Sequence, residues 1–457
     1  MHSQYWPGLW RAAAVGVLGS LVLLGGRARA AEPPSEGWTL REVVAMALER
    51  NPGMAQAEAR AREAMARVGE AEAAFFPQVG ARLTFARTDD PSRAFAMLLA
   101  QRRFTFQGNF NRPGPTQDVR PEVVAAYPLF RGGQDFFRRQ AASAGADAAR
   151  AEVSAARNQL IDAAAQAYYA LLAAPEQLAV ARAARAAVQA ALDNTRARVA
   201  AGAALRSDVL SLETRLAAVE ESEVRARNAV ELARAAVRLV LALPPDEPVA
   251  VRRSEEPGGP LPADFQAALA RAYERRSELA SARSLVAARE AELRAEQANF
   301  LPRIDLIGSY GQNARDLSLA ASRDNWFFAA TAEVDLFSGG RTRERVRAAQ
   351  QRLEEARQLE VKIQRDIEHE VRVAFANWEE ARERLRVAES GVLAAEEALR
   401  LVNEQYRQGA VIVTRYLEAE AARTAARSQA VAARYDLDRS TAALRKAIGS
   451  WEEDLQP

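Results

Sequence analysis

Hydrophobic and polar positions alternate over residues 78–85: Val79, Ala81, Leu83 and Phe85 oppose Gln78, Gly80, Arg82 and Thr84. A period of two makes a strand with one greasy and one wet face. Residues 121–130 return as a second strand. In 302–310, Ile304, Leu306 and Tyr310 share a face opposite Arg303, Asp305 and Ser309. In 326–337, Phe328, Ala330, Ala332, Val334 and Leu336 alternate with Phe327, Ala329, Thr331, Glu333 and Asp335. Glu333 and Asp335 need water, so their face is predicted to line an aqueous lumen while the other meets hydrocarbon, as in a transmembrane barrel strand. A half-buried strand of a soluble sheet alternates in the same way, so these four strands alone leave both readings open.

The rest of the pattern is helical. A helix is predicted from about Thr39 to Phe75, ended by Pro77. Pro302 stands at the corresponding helix-to-strand turn later in the chain. From Gly133 to Arg198 only Pro175 breaks the helical period, and the run from Gly340 to Gln408 has no proline. Each run is about 100 Å long at 1.5 Å per residue. The flanking helices, 39–75 and 207–241, would stack to a similar length. Pro175 predicts a bend midway along a rod; the second reading is a midsection where a belt wraps the rod.

The long helices carry heptads. Val371, Trp378, Leu385, Val392, Leu399 and Tyr406 recur every seventh position, with Ala374, Ala381, Ala388, Ala395 and Val402 at the other seam position. Large-against-small seams let helices pack closely and supercoil. Gly202 and Gly409 mark helix ends, where positive φ favours glycine. Ser207 and Thr414 suit the N-caps of the returning helices, with Asp208 close to the positive dipole end. Both turns are therefore tight helical hairpins.

The unit is written twice, and such a repeat constrains the fold before any other argument. Leu129, Phe130, Gly132 and Gly133 recur 207 positions later as Leu336, Phe337, Gly339 and Gly340, at the strand-to-helix junctions. Gly202 with Gly409 and Ser207 with Thr414 keep that offset. Upstream it becomes 225, as in Phe76-Pro77 and Leu301-Pro302. The first copy therefore carries an insertion, read as a long extracellular loop over 89–120. The chain divides into a signal peptide (1–30), a first repeat (31–242), an exposed, partly irregular linker (243–263), a second repeat (264–450) and a C-terminal tail (451–457).

Composition narrows the function. The 457 residues hold 62 Lys+Arg against 60 Asp+Glu, and no basic block stands apart, which argues against nucleic-acid binding. There is no Cys, hence no disulfide, thiol nucleophile or lipidated Cys. Of the two histidines, His369 lacks the second His of a zinc-protease motif. With no metal cluster, phosphate loop or nucleophile–base set, no enzyme and no cofactor are expected. Arg11, the apolar run Ala12–Gly25 and Ala28-Arg29-Ala30 read as a cleavable secretory signal. That run, about 14 residues, is shorter than the roughly 20 of a spanning helix.

Four strands cannot close a barrel, and lipid does not tolerate open edges. Two copies would give eight strands and three would give twelve. A secreted chain with one membrane-spanning end and a long hollow helical end is a conduit. The duplication, both Leu-Phe-x-Gly-Gly exits, the two Pro turns and the Gly hairpins resemble the outer-membrane efflux protein family, the TolC-like channel-tunnels. The fold class expected is a mostly α, α+β membrane protein of long antiparallel coiled-coil helices. The resemblance implies a homotrimer in outer-membrane lipid, with a twelve-stranded β-barrel, a periplasmic α-helical barrel and an equatorial belt. It also implies a periplasmic adaptor and an inner-membrane transporter as partners. The alternative is a periplasmic coiled-coil adaptor or scaffold, which would need one helical pair beside compact β domains.

The resemblance places the hairpins at the tunnel entrance. In the family, Tyr and charged residues there tie the closed state. The matching stretch offers Tyr406, Arg407, Arg415, Tyr416, Glu418 and Glu420. Many members carry an acid where Arg415 stands, so the cation preference of a negatively charged entrance does not transfer. An Asp208–Arg415 or an Arg415–Glu418 link would hold the entrance shut.

Overall fold

The computed structural model describes residues 37–451 apart from 108, 110 and 255–258. The signal peptide and the tail beyond Trp451 lie outside the described residues. Two short helices open the chain, α1 (Leu40–Arg50) and α2 (Pro52–Ala73). The single helix expected over 39–75 is thus divided. Pro52 has no N–H to continue α1, and Asn51 caps α2 by accepting from the Gly53 N–H at 2.8 Å. Thr39 and Glu42 form a reciprocal capping box at the start of α1.

Strand β1 (Gln78–Thr88) leads into the insertion, which holds a helix, α3 (Pro91–Ala100), and so is not the plain loop expected. Asp90 caps α3, accepting from the Arg93 N–H at 2.8 Å. The chain returns through β2 (Thr116–Arg131) into α4 (Gln134–Ala200) and α5 (Arg206–Val240). The second copy repeats the order: α6 (Phe265–Arg275), α7 (Ser277–Gln297), β3 (Arg303–Gln312), β4 (Asp324–Glu333), α8 (Arg341–Arg407) and α9 (Val413–Ala447). Helices α4 and α8 each have 67 residues, and α5 and α9 each have 35.

Pro175 does not interrupt α4. It lies within the stretch that builds the midsection core, where Ala174 and Leu178 are buried with Trp38, Val43, Val44, Tyr168, Val237 and Trp451. The packing therefore favours the second reading of Pro175, a wrapped midsection. The linker is part of this wrap. Trp38 N–H donates to Ala250 O and Arg252 N–H to Trp38 O, both at 2.9 Å, and Val249 is buried. Trp451, expected to open the tail, is 1% exposed and closes the same core. In the second copy, Ala268, Leu279, Ile367, Val371 and Ile448 form an equivalent cluster. Arg276 is buried there and bridges Glu278 at 2.9 Å and Glu370 at 2.8 Å.

The strands form one antiparallel sheet in the order β1-β2-β3-β4. The register aligns their faces. Leu83 pairs with Pro121, Val123 with Tyr310, Tyr310 with Trp326 and Leu306 with Ala330, all on the apolar side. Arg82 pairs with Glu122, Arg131 with Arg303 and Arg303 with Glu333 on the polar side. A bulge between Pro128 and Phe130 keeps Phe130 on the apolar face and Arg131 on the polar one. No helix among the described residues is long and apolar enough to cross a membrane. The sheet is the element with a lipid-compatible face.

Candidate functional site

The hairpin tips form the first candidate region. Gly202 and Gly409 both have φ +74, and the N–H of each next residue reaches back to close the helix end (Ala203 to Arg198 O, 2.7 Å; Ala410 to Gln405 O, 2.9 Å). Ser207 and Thr414 are not the N-caps. Leu205 and Ile412 occupy those positions, and both polar residues lie one position inside the first helical residue. Asp208 supplies the capping contact instead, its Oδ2 accepting the Leu205 N–H at 3.4 Å.

Tyr406 joins the two hairpins. Its hydroxyl is 2.8 Å from Thr195 Oγ1, its ring stacks on Tyr416 at 5.2 Å, and the Arg198 guanidinium lies over it at 5.4 Å. Burial and the nearby Glu420 carboxylate push the Tyr416 hydroxyl pKa up. Glu420 itself is 0% exposed, between Arg215 of α5 and Arg423 of its own helix, at 3.4 Å from each. Thr424 donates to it at 2.7 Å. The Nε atoms of Arg215 and Arg423 are buried with no hydrogen-bond partner.

The expected Arg415 links resolve differently. Arg415 pairs with Glu418 at 3.2 Å, one turn along the same helix, and both are exposed. This pair ties nothing across the hairpins. Asp208 makes its contact within its own cap, so no Asp208–Arg415 link forms within the chain. Arg407 is exposed. The sequence named Tyr406, Tyr416 and Glu420 but missed Arg215, Arg423, Thr195 and Arg198. Glu213, the counterpart of Glu420, pairs on the surface with Arg196 at 2.7 Å. Repeat spacing alone could not separate the buried carboxylate from the exposed one.

The second region is the junction of sheet and helices. Pro77 and Pro302 immediately precede β1 and β3. Gly132 and Gly133 have φ +61 and +84; Gly339 and Gly340 have +63 and +85. These values turn each strand sharply into its helix. Glu333 ends β4 and pairs with Arg303. Asp335 is not on the strand, which stops at Glu333; it sits in the turn, 3.8 Å from Arg341. Arg131 lies 3.7 Å from Asp305 and 3.9 Å from Asp135. Arg131, Arg303, Asp305, Glu333, Asp335 and Arg341 line a polar cavity of about 330 Å³ where sheet meets helices. Leu129 and Phe130 are 54% and 46% exposed, but Leu336 and Phe337 are 93% and 90% exposed.

A four-stranded sheet with one lipid-facing and one aqueous face, set on paired helices about 100 Å long, defines a barrel-and-tunnel membrane protein. The sequence profile of the family described as outer membrane efflux protein matches residues 43–243 and 268–450. The chain belongs to this family, whose members are non-enzymatic outer-membrane channels with a β-barrel and a periplasmic tunnel. It is 31% identical to outer membrane protein OprJ of Pseudomonas aeruginosa over 150 residues, 32% of this chain and 31% of that one. The match to OprJ thus spans about a third of that relative's length. It is 26% identical to outer membrane protein TolC of Vibrio cholerae, over 67% of this chain and 71% of that one. The outer-membrane channel OprN shares the fold, with a TM-score of 0.79 at 22% identity over 90% of each chain.

Proposed function

We propose that this chain is the channel subunit of an efflux or secretion system, a passive conduit across the outer membrane and periplasm. The observation that carries the reading is the sheet. Its apolar and polar faces are sorted in register, yet β1 and β4 keep open edges, which lipid does not tolerate. A homotrimer closes twelve strands.

The repeat supports this arrangement. Helix α4 packs between α2 and α7, while α8 has α7 on one side only. The neighbouring protomer's α2 would fill the empty side, since α2 and α7 are repeat counterparts. The same step would cover Leu336 and Phe337. Energy for transport would come from an inner-membrane transporter, reached through a periplasmic adaptor at the hairpin tips. The buried Arg215–Glu420–Arg423 set and Tyr406 would hold the entrance narrow.

Planar-bilayer conductance of the purified protein tests the reading. Small channels in the wild type that widen in Glu420→Gln, and stay unchanged in Arg415→Ala, are expected. Folded protein that gives no channels would sink it in favour of a scaffold.

A further inference from the structure

We infer that the tunnel lumen just below the barrel carries an anion-binding collar at each seam between protomers. The inference rests on the trimeric channel reading above. The lumen side of the helices follows from the junction cavity. Its lining joins the polar sheet face (Arg131, Arg303, Glu333) to Arg341 and Arg345 of α8, so that side of α8 faces the aqueous interior. A second groove of about 590 Å³ continues along the same side, and α2, α4, α7 and α8 all contribute to it. Four consecutive helices of a curved layer converge only on its concave face.

Within one protomer the groove is lined by four arginines, Arg67, Arg138, Arg289 and Arg352, against two glutamates, and only where α4 meets α7 do the charges balance. Arg138 of α4 and Arg289 of α7 face Glu292 and Glu296, and Arg289 bonds Glu292 at 2.7 Å. The seam between protomers repeats the α4–α7 pairing with α8 and the neighbour's α2, so Arg352 and Arg67, at the flanks of the groove, become its central residues. Arg345 replaces Arg138, and Arg352 replaces Gly145, at the 207 offset. The neighbour's α2 replaces α7 at the 225 offset, so Arg67 stands for Glu292, Ala71 for Glu296, Arg60 for Leu285, Glu63 for Ala288 and Glu70 for Ala295. Four arginines then meet two glutamates, and Glu63 is already bonded to Arg67 at 2.7 Å. Arg345 and Arg352 are exposed and have no ion pair or hydrogen bond with the described residues of their own chain.

Three such seams place a surplus of guanidinium groups around one ring of the lumen. Guanidinium forks suit carboxylate and phosphate oxygens, and a narrow water-filled tube concentrates their field. The ligand class is a multivalent anion of small-molecule size, carrying phosphate or several carboxylate groups.

The test uses full-length trimer in planar bilayers under a KCl gradient, with tripolyphosphate as the probe. The wild type is expected to favour chloride and to be blocked by tripolyphosphate. The double variant Arg345→Ser/Arg352→Ser should shift the reversal potential toward cation preference and weaken the block about tenfold or more. Arg345→Lys/Arg352→Lys should retain the chloride preference. Arg343→Ser/Arg347→Ser removes the same charge from the opposite side of α8 and should behave as wild type. A cation-preferring wild type, or equal block in both serine variants, overturns the collar while leaving the channel standing. Trimer that binds tripolyphosphate in a calorimeter but conducts nothing would support the collar and sink the conduit. Neither binding nor conductance overturns both.

Discussion

Glu420 shows what a single buried charge asks of its surroundings. Removing it leaves two arginines facing each other without their shared carboxylate. Breaking a buried pair in this way costs about 3–5 kcal/mol. Glu420→Ala should therefore loosen the tip and lower the melting temperature. Arg415→Ala should change stability by about 1 kcal/mol or less, because its partner is exposed. Thermal denaturation of the two variants in detergent separates them. Asp162 makes a pH prediction. Burial raises its carboxyl pKa above 3.8, against the opposing pull of Gln166 and Lys446. A raised carboxyl pKa means the native state prefers the protonated form. Its favourable contribution is complete below the ordinary aspartate pKa and is lost as pH rises through the folded value. Asp162→Asn should therefore raise the melting temperature at pH 7 and make no difference in strong acid.

At the scale of elements, periodicity carried most of the fold. Alternation located the strands, and long runs without a helix breaker located the long helices, because both patterns survive without knowledge of what packs where. Every seam position from Val371 to Tyr406 is buried or half-buried. What periodicity lost was local and steric. The Asn51-Pro52 break does not interrupt the apolar rhythm, and β4 ends before Asp335 although the alternation runs on. Residues that share a pattern need not share a backbone state. The tip contacts were half legible: Tyr406 and Glu420 stood out, but Thr195, Arg198 and Arg215 come from the other hairpin, about 200 positions away along the chain. The strand faces give a direct test. Ala330 is on the apolar side and Ala329 on the polar side of β4. Arg at a lipid-facing midplane position costs about 2–4 kcal/mol. Ala330→Arg should impair barrel assembly, while Ala329→Arg should assemble and narrow the pore. Heat-modifiable mobility on gels reads the first effect, and conductance the second.

For the whole molecule, the midsection binds chain segments far apart in sequence. The start of the described chain, the inter-repeat linker and Trp451 all meet around α4. Sequence spacing gave no sign of this, because each contributor is short and aperiodic. Truncation after Ser450 removes one of the largest fully buried side chains. Loss of a buried aromatic of this size costs about 3–5 kcal/mol. The truncated protein should reach the membrane at reduced yield, measurable by quantitative blotting of outer-membrane fractions.

The equal lengths of the paired helices have a mechanical corollary. With 67 residues in both α4 and α8, and 35 in both α5 and α9, the two tips end at one depth. Each copy is a ruler against which the other is checked. Deleting one heptad from α8 alone would lift its tip by about 10 Å and slide every seam layer out of step. Deleting the matching heptad from α4, and from both returning helices, would restore the match in a shorter tube. A change in the reach of this protein across the periplasm is therefore a matched change in both copies. Steps that keep the seam in register, such as whole heptads, would have to be taken on all four helices at once.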